Sequence, residues 1–293
     1  PGQIRSLEKK LGALPCWGLP EIKKSLSRTL SGMEKTSWTF NFAGGRSLSL
    51  GKKTAVMGIL NLTADSFYGG SRISGEEELL KRAAAMAEGG ADILDVGAES
   101  TRPGSEPLPT EEEMERLIPA IRLLRREFPD TVISADTWKA AFVFFKQKTA
   151  YDIINDISGL AFDPELPRAV AGTGAALVLS HIQGTPRDMQ KSPKYENTVR
   201  DILEYFSARL EYAEEAGINP EKIIIDPGIG FGKGASDNLK ILRNLEAFRI
   251  FGRPVMVGHS RKAFIGRVLG LDDPADLLEM EGVRFDAKGK ALP

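Results

Sequence analysis

The stretch ADILDVGAESTRPG, residues 91–104, decides how the rest of the chain is read. Its first six residues form an apolar run of strand length, and the chain then turns abruptly polar through Gly97, Ala98, Glu99, Ser100, Thr101 and Arg102. The same punctuation recurs outward from it, with apolar runs at residues 55–60, 131–135, 152–157, 175–180, 223–225 and 254–257. Longer stretches of helical period separate them. Val199, Ile202, Leu203, Phe206, Leu210 and Ala213 recur every 3.6 residues, so residues 195–216 are expected to form a long helix with one apolar stripe. Capping boxes at Ser74 with Glu77 and at Thr110 with Glu113, and Asp163 before Pro164, mark further helix starts.

Short strands alternating with helices define an α/β chain with a parallel sheet. The stretch from Thr54 onward is close to the ~250 residues typical of a TIM (β/α)8 barrel. Only seven strand candidates are present, so the barrel is expected to be incomplete, with its eighth strand missing. The predicted organisation is an extension over residues 1–36 carrying a short helix at 21–30, a barrel over 37–276, and an atypical tail over 277–293.

Composition narrows the function classes. A formal charge of -1 with Lys and Arg scattered among Asp and Glu offers no basic field for a nucleic-acid backbone, so no nucleic-acid partner is expected. One cysteine, Cys16, and two histidines, His181 and His259, make neither a disulfide framework nor a zinc cluster, which favours a reducing cytoplasm. No apolar run reaches the ~18 residues of a membrane helix, and no membrane partner is expected.

In barrels of this class the chemistry sits just past the carboxyl ends of the strands. Those positions hold Asn61, Thr101 with Arg102, Asp136 with Thr137, Asn155 with Asp156, His181, Asp226, and Gly258 through Lys262. Any one of them could simply be a polar residue meeting water, but their convergence calls for a ligand. Asp136, Asn155 and Asp226 suit a flat heterocycle with an amide and an amino group, because a carboxylate can receive two parallel N–H donors from a guanidine-like edge. Arg102, Arg261 and Lys262 add fixed positive charge suited to a phosphate or diphosphate. Cations at a helix N-terminus oppose the macrodipole, so Arg261 and Lys262 there call for an anionic partner. The run from Asp226 to Lys233 is glycine-rich but lacks the Ser or Thr of a nucleotide-binding P-loop after its lysine. His181 and His259 are read as structural.

Taken together, MGILNLTADSF (57–67), DILDVGAESTRPG (92–104), Asp136-Thr137, DIINDISG (152–159), IIIDPGIGFGK (223–233) and VGHSRKAFIG (257–266) resemble dihydropteroate synthase, in order over residues 54–276. The resemblance implies a transferase of folate biosynthesis that joins 6-hydroxymethyl-7,8-dihydropterin diphosphate to 4-aminobenzoate, releasing diphosphate. It implies catalytic roles for Asp136, Asp226 and Lys262, which with Asn155 would hold the pterin between walls shaped by Phe231 and Gly258. Asn61 would ligate Mg²⁺, Thr101 and Arg102 would contact the diphosphate or second substrate, and Phe67, Pro103 and Ser260 would line the 4-aminobenzoate position that sulfonamides mimic. A homodimer is also implied. The rival readings are a methyltetrahydrofolate–corrinoid methyltransferase, whose substrate has no diphosphate for Arg102 and Arg261 to meet, and a non-catalytic pterin-binding remnant.

The chain departs from that pattern in three places. Ala64 stands where proline is usual, and an Asp is missing before Gly69-Gly70. Between Asp136 and Asp152 the run AFVFFKQKTAY (141–151) replaces an amphipathic helix and is read as foreign sequence, its FFKQKTAY (144–151) being of the kind a translated sequencing adapter introduces; exposed apolar surface is expected there, with Phe142, Phe145 and Thr149 on one face and Val143 and Phe144 off it. After Asp276 no Arg-x-His phosphate motif appears, and Val283-Arg284-Phe285 is a poor substitute strand.

Overall fold

The computed structural model describes residues 6, 10, 19–62, 72–145, 150–269, 284–285 and 291–292. Phe67, the opening loop with Ala64, and most of the tail lie outside the described residues. Helix α1, Leu19–Glu34, leads into an antiparallel hairpin of β1, Trp38–Asn41, and β2, Ser47–Leu50. Six parallel strands come next in sequential order: β3 Met57–Asn61, β4 Ile93–Gly97, β5 Val132–Asp136, β6 Ile153–Asp156, β7 Ala176–Ser180 and β8 Ile223–Asp226. Helices α2 Arg72–Glu88, α3 Thr110–Glu127, α4 Ala140–Val143, α5 Leu166–Thr173, α6 Thr198–Glu215, α7 Ala235–Arg243 and α8 Ala263–Val268 alternate with the strands or come after them. This is the expected α/β barrel. The predicted run at 254–257 contributes one parallel bridge, Val255 to Ile225.

Among the described residues the barrel does not close. The sheet begins at β3, where Val56 and Ile59 are 54% and 53% exposed, as expected for an edge with no strand beside it. Arg284–Phe285 pairs antiparallel with Ala291–Leu292 and not with the barrel sheet. No described helix is long and apolar enough to cross a membrane.

Side chains alternate faces along a strand, so one parity of each strand shares the barrel interior. Met57, Ile93, Val132, Ile153, Ala176 and Ile224 pack together with Phe40 and Leu48 of the hairpin, which plugs the amino end of the barrel. The opposite parity, including Leu94, Val96, Ile133, Ala135, Ile154, Leu177, Leu179 and Ile225, packs against the helices. Counting in twos from the first set reaches Asn61, Asp95, Gly97, Ser134, Asp136, Asn155, Ser180 and Asp226. These positions therefore face the interior, toward the carboxyl end.

Local details differ from the sequence reading in physically instructive ways. The helix expected at 21–30 runs over Leu19–Glu34, and its Gly32 lies so close to the 3-10 turn Leu245–Phe251 that an added Cβ would meet the Ile250 carbonyl oxygen at 2.5 Å. At α3 the capping box does not form: Pro109 is the cap residue, and the Glu113 carboxylate is drawn instead to the buried Lys139 ammonium. Asp163 does accept from the Glu165 N–H at 3.0 Å, but α5 begins at Leu166, with Pro167 rather than Pro164 in its first turn. Ser74 lies inside α2. At 140–145, Phe144 is 57% exposed, as expected of that run, whereas Phe145, expected to share a face with Phe142, is 39% exposed while Phe142 is buried. Val143, expected off the buried face, is buried, because α4 is a single turn and its end is held by Tyr151, whose hydroxyl donates to the Val143 carbonyl at 2.7 Å.

Candidate active site

Residues at or next to the carboxyl ends of four neighbouring strands line up. Asn61 pairs with Gly97, Gly97 with Asp136, and Asp136 with Asn155, so their interior-facing positions form one row across β3 to β6. Glycine at the second place matters: an added Cβ on Gly97 would sit 3.1 Å from Asp136 Oδ2, so the carboxylate leans into space that a side chain would take. Asn155 and Asp226 are buried, Asp136 is half-buried and Asn61 is exposed.

Opposite this row stands the glycine-rich turn after β8. Asp226 Oδ1 accepts from the Gly228 N–H at 2.7 Å, which fixes the carboxylate at the start of the turn. Gly228 has φ of 68°, and an added Cβ would meet the His181 carbonyl oxygen at 1.9 Å, so both backbone conformation and close approach require glycine here. Gln190 Nε2 donates to the Gly230 carbonyl at 2.7 Å and Tyr195 Oη to the Gly232 carbonyl at 2.8 Å, holding the turn against the β7 loop. Phe231 is thereby presented at its tip. Lys262, just before α8, folds back over it, with Nζ 4.1 Å from the centre of the Phe231 ring.

The charges in this cup are not mutually neutralised. Burial lowers the Lys262 ammonium from its ordinary range, while both Asp226 and Asp136 pull it back up, so one cation lies within electrostatic reach of both carboxylates. Burial holds Asp136 well above the usual carboxylate range, and Asp95, Glu113, Glu99 and Asp156 push it further. Asp226 is likewise raised by burial, opposed by the Gly228 N–H and by Lys233 and Lys262. Carboxylates perturbed together in this way are concentrated at functional sites.

Of the remaining predicted residues, Thr101 is half-buried and Arg102 and Pro103 are exposed on the loop after β4. That loop is firmly anchored. Ser105 Oγ donates to the Ser100 and Arg102 carbonyls at 2.5 and 2.8 Å, and Gly104 N–H to the Pro186 carbonyl at 2.9 Å. Beneath it Glu99 accepts from Lys139 Nζ at 2.6 Å, Trp138 Nε1 at 3.2 Å and Leu108 N–H at 3.0 Å. Gly258, His259, Ser260 and Arg261 are exposed beside Lys262, with Arg261 at a positive φ of 55°.

Three residues of this region were not singled out from sequence. Asp95 is buried inside β4 and accepts from Asn155 Nδ2 at 3.0 Å; its signal was a lone charge within an apolar strand. Lys233 is buried against His181, with Nζ 2.8 Å from Nδ1 and 2.9 Å from the Phe231 carbonyl, so the histidine read as structural has a specific partner. Burial and Lys233 hold the His181 imidazole far below its ordinary range, to about 2, so it is neutral. Lys139, the third, carried no sequence signal, since its partners Glu99 and Glu113 come from other elements.

A parallel α/β barrel with acids and an amide ringed at its carboxyl end, beside an aromatic wall and a lysine, defines a barrel enzyme that binds a flat polar heterocycle. A model of the family described as "Pterin binding enzyme" matches residues 57–287, past the Asp276 at which the motif reading ends. The chain belongs to this family, and among its relatives there are the dihydropteroate synthases. It is 43% identical to "Dihydropteroate synthase" of Synechocystis sp. over 226 residues, covering 77% of this chain and 78% of the relative. A solved dihydropteroate synthase from Xanthomonas albilineans with 4-aminobenzoic acid superposes with a TM-score of 0.74 at 37% identity, covering 83% of this chain and 85% of that one. The same organism's enzyme in complex with 7,8-dihydropteroate gives 0.70 at 34% identity, covering 82% and 85%.

Proposed function

We propose that this chain condenses 6-hydroxymethyl-7,8-dihydropterin diphosphate with 4-aminobenzoate, yielding 7,8-dihydropteroate and diphosphate. The observation that carries the reading is the strand register that brings Asn61, Asp136 and Asn155, far apart in sequence, into one row at the carboxyl end of the barrel, with Lys262 set 4.1 Å over the Phe231 ring. In this reading Asp226, Asp136 and Asn155 receive the donor edge of the pterin and the ring lies against Phe231. As the C–O bond to the diphosphate breaks, positive charge spreads into the ring. Hydrogen bonds from its N–H groups to carboxylates strengthen at that moment, which stabilises the transition state more than the ground state. The arylamine nitrogen then bonds to the methylene carbon and loses its proton. Arg102, with Thr101, and Arg261 supply the cationic rim for the departing diphosphate, while Pro103, Ser260 and Phe67 are assigned to the second substrate.

Mg²⁺ belongs to the proposal as well. Among the described residues no group of three carboxylate, histidine or cysteine side chains could hold a metal. An exposed amide oxygen at Asn61 fits an ion that arrives with the diphosphate, since Mg²⁺ commonly keeps several waters and takes substrate phosphate oxygens with one or two protein ligands. Bound there, it would neutralise charge on the leaving group. A homodimer in the cytoplasm completes the reading.

The test is direct. Purified chain is incubated with both substrates and Mg²⁺, and dihydropteroate and diphosphate are quantified. Stoichiometric formation of the two supports the reading, and pterin binding without product would favour the non-catalytic alternative.

A further inference from the structure

Asp95 occupies the interior layer directly below the proposed substrate row. It is 3% exposed and stands opposite Ser134 in the β4–β5 register. Ser134 is small, and this is what lets Asp95 on β4 reach past β5 to Asn155 on β6, where its Oδ2 accepts from Asn155 Nδ2 at 3.0 Å. Its second oxygen, Oδ1, is sealed from solvent, and the Ser134 hydroxyl, itself buried, joins Asn155 in partly offsetting the cost of that burial. A fully buried acid inside an apolar strand is costly, and its presence calls for a physical reason. Asn155 itself is in register with Asp136, the first of the proposed ring-reading acids.

Resting on the dihydropteroate synthase reading, we propose that Asp95 is a positioning residue for pterin recognition. Its carboxyl group pins the Asn155 amide so that the amide oxygen, and not its NH₂, is offered to the ring. An amide has a donor end and an acceptor end of nearly the same shape, and a free one can present either. Committing the NH₂ to Asp95 turns the carbonyl oxygen the opposite way. Asn155 then acts, like Asp136 and Asp226, as an acceptor, and the interior row becomes uniformly matched to a heterocycle edge that carries donors. A ligand with acceptors at that edge leaves buried lone pairs facing each other and is rejected.

The test compares wild type, Asp95→Asn, Asn155→Ala and the double variant, measuring KM for each substrate, kcat and melting temperature. An asparagine at 95 keeps the shape but can hydrogen-bond to either end of the Asn155 amide. Asp95→Asn is expected to raise KM for the dihydropterin diphosphate about tenfold, to leave KM for 4-aminobenzoate unchanged, and to keep the wild-type melting temperature. The double variant is expected to be no worse than Asn155→Ala alone, because Asp95 acts through that amide. An unchanged pterin KM, or effects of the two substitutions that simply add, overturns the proposal. If Asp95→Asn lowers the melting temperature, Asp95→Ser is read by the same criteria, and loss of the fold in both variants overturns it in favour of a purely structural acid. A wild-type chain that forms no product at all sinks the parent reading, which is a separate result.

Discussion

Asp152 and Asp136 stand at opposite ends of the barrel and are treated in opposite ways. At the amino end, Asp152 is almost fully buried and fully answered: Arg46 gives it a forked pair of bonds from Nε and Nη2 at 3.1 and 2.9 Å, Arg125 Nη2 donates at 2.6 Å, and the Ile133 N–H donates at 3.1 Å. At the carboxyl end, Asp136 is surrounded by other acids, and its cation, Lys262, is shared with Asp226. One end uses charge to close the fold, and the other keeps charge uncompensated where a substrate can complete it. In barrels of this class, residues at the amino face serve stability and those at the carboxyl face serve chemistry. Here the division can be read in hydrogen-bond partners.

Substitutions at the two ends should therefore fail in different ways. The largest stability effect is expected for Asp152→Ala, which strands Arg46 and Arg125 beside each other; breaking a buried pair by removing one partner costs about 3–5 kcal/mol. Denaturant unfolding should show that loss while activity per folded molecule stays near wild type. A loss of activity without loss of stability would break the comparison.

Gly228→Ala is expected to affect both properties. The residue's φ of 68° and the 1.9 Å approach to the His181 carbonyl leave a Cβ no room, and left-handed backbone at a non-glycine residue alone costs about 1–2 kcal/mol. The turn must shift, and with it Asp226 and Phe231, so pterin affinity should fall along with the melting temperature.

Lys262→Met should invert the pattern seen at Asp152. Burial already disfavours its ammonium, so stability is expected to hold or rise. Pterin diphosphate affinity should drop about tenfold or more, the scale of a lost charge-assisted bond. A stability loss comparable to that of Asp152→Ala would mean that the two ends are not distinct.

The range of each interaction determines how much of this was legible in the sequence. The strands could be read because burial makes apolar runs, and Asn61, Asp136, Asn155 and Asp226 could be read because they stand at or near the carboxyl ends of those runs. Glu113 misled as a capping-box member because its real partner, Lys139, lies on another loop, and no local pattern announces a contact across β4 and β5. Asp95 went unread for a related reason: its importance depends on a small residue, Ser134, on the neighbouring strand. The hairpin of β1 and β2 was missed because its apolar residues pack inside the barrel floor and make no repeat with the βα units. The incomplete barrel was expected from the absence of an eighth apolar run, and the unpaired edge of β3 agrees with that among the described residues.

A last effect concerns pH. Burial brings the Lys233 ammonium down from 10.5 to about 7 in the folded chain, with Lys262 adding to the fall and Asp226 and Asp237 opposing it. Between about 7 and 10.5 the unfolded chain keeps a proton that the folded one has released, so this lysine makes folding more favourable as pH rises through that window. Unfolding free energies measured across the window should show a shallower rise for Lys233→Met than for wild type. Identical pH slopes would place the lysine outside the buried clasp with His181.

The central claim is that carboxylates from distant parts of the chain take hold of one pterin ring. Calorimetric titration of dihydropterin diphosphate with Mg²⁺ into wild type, Asp226→Ala and Asp152→Asn, each checked for intact folding, tests it most directly. Asp226→Ala is predicted to abolish binding, and folded Asp152→Asn to bind as wild type does. Wild-type affinity in Asp226→Ala would contradict the claim.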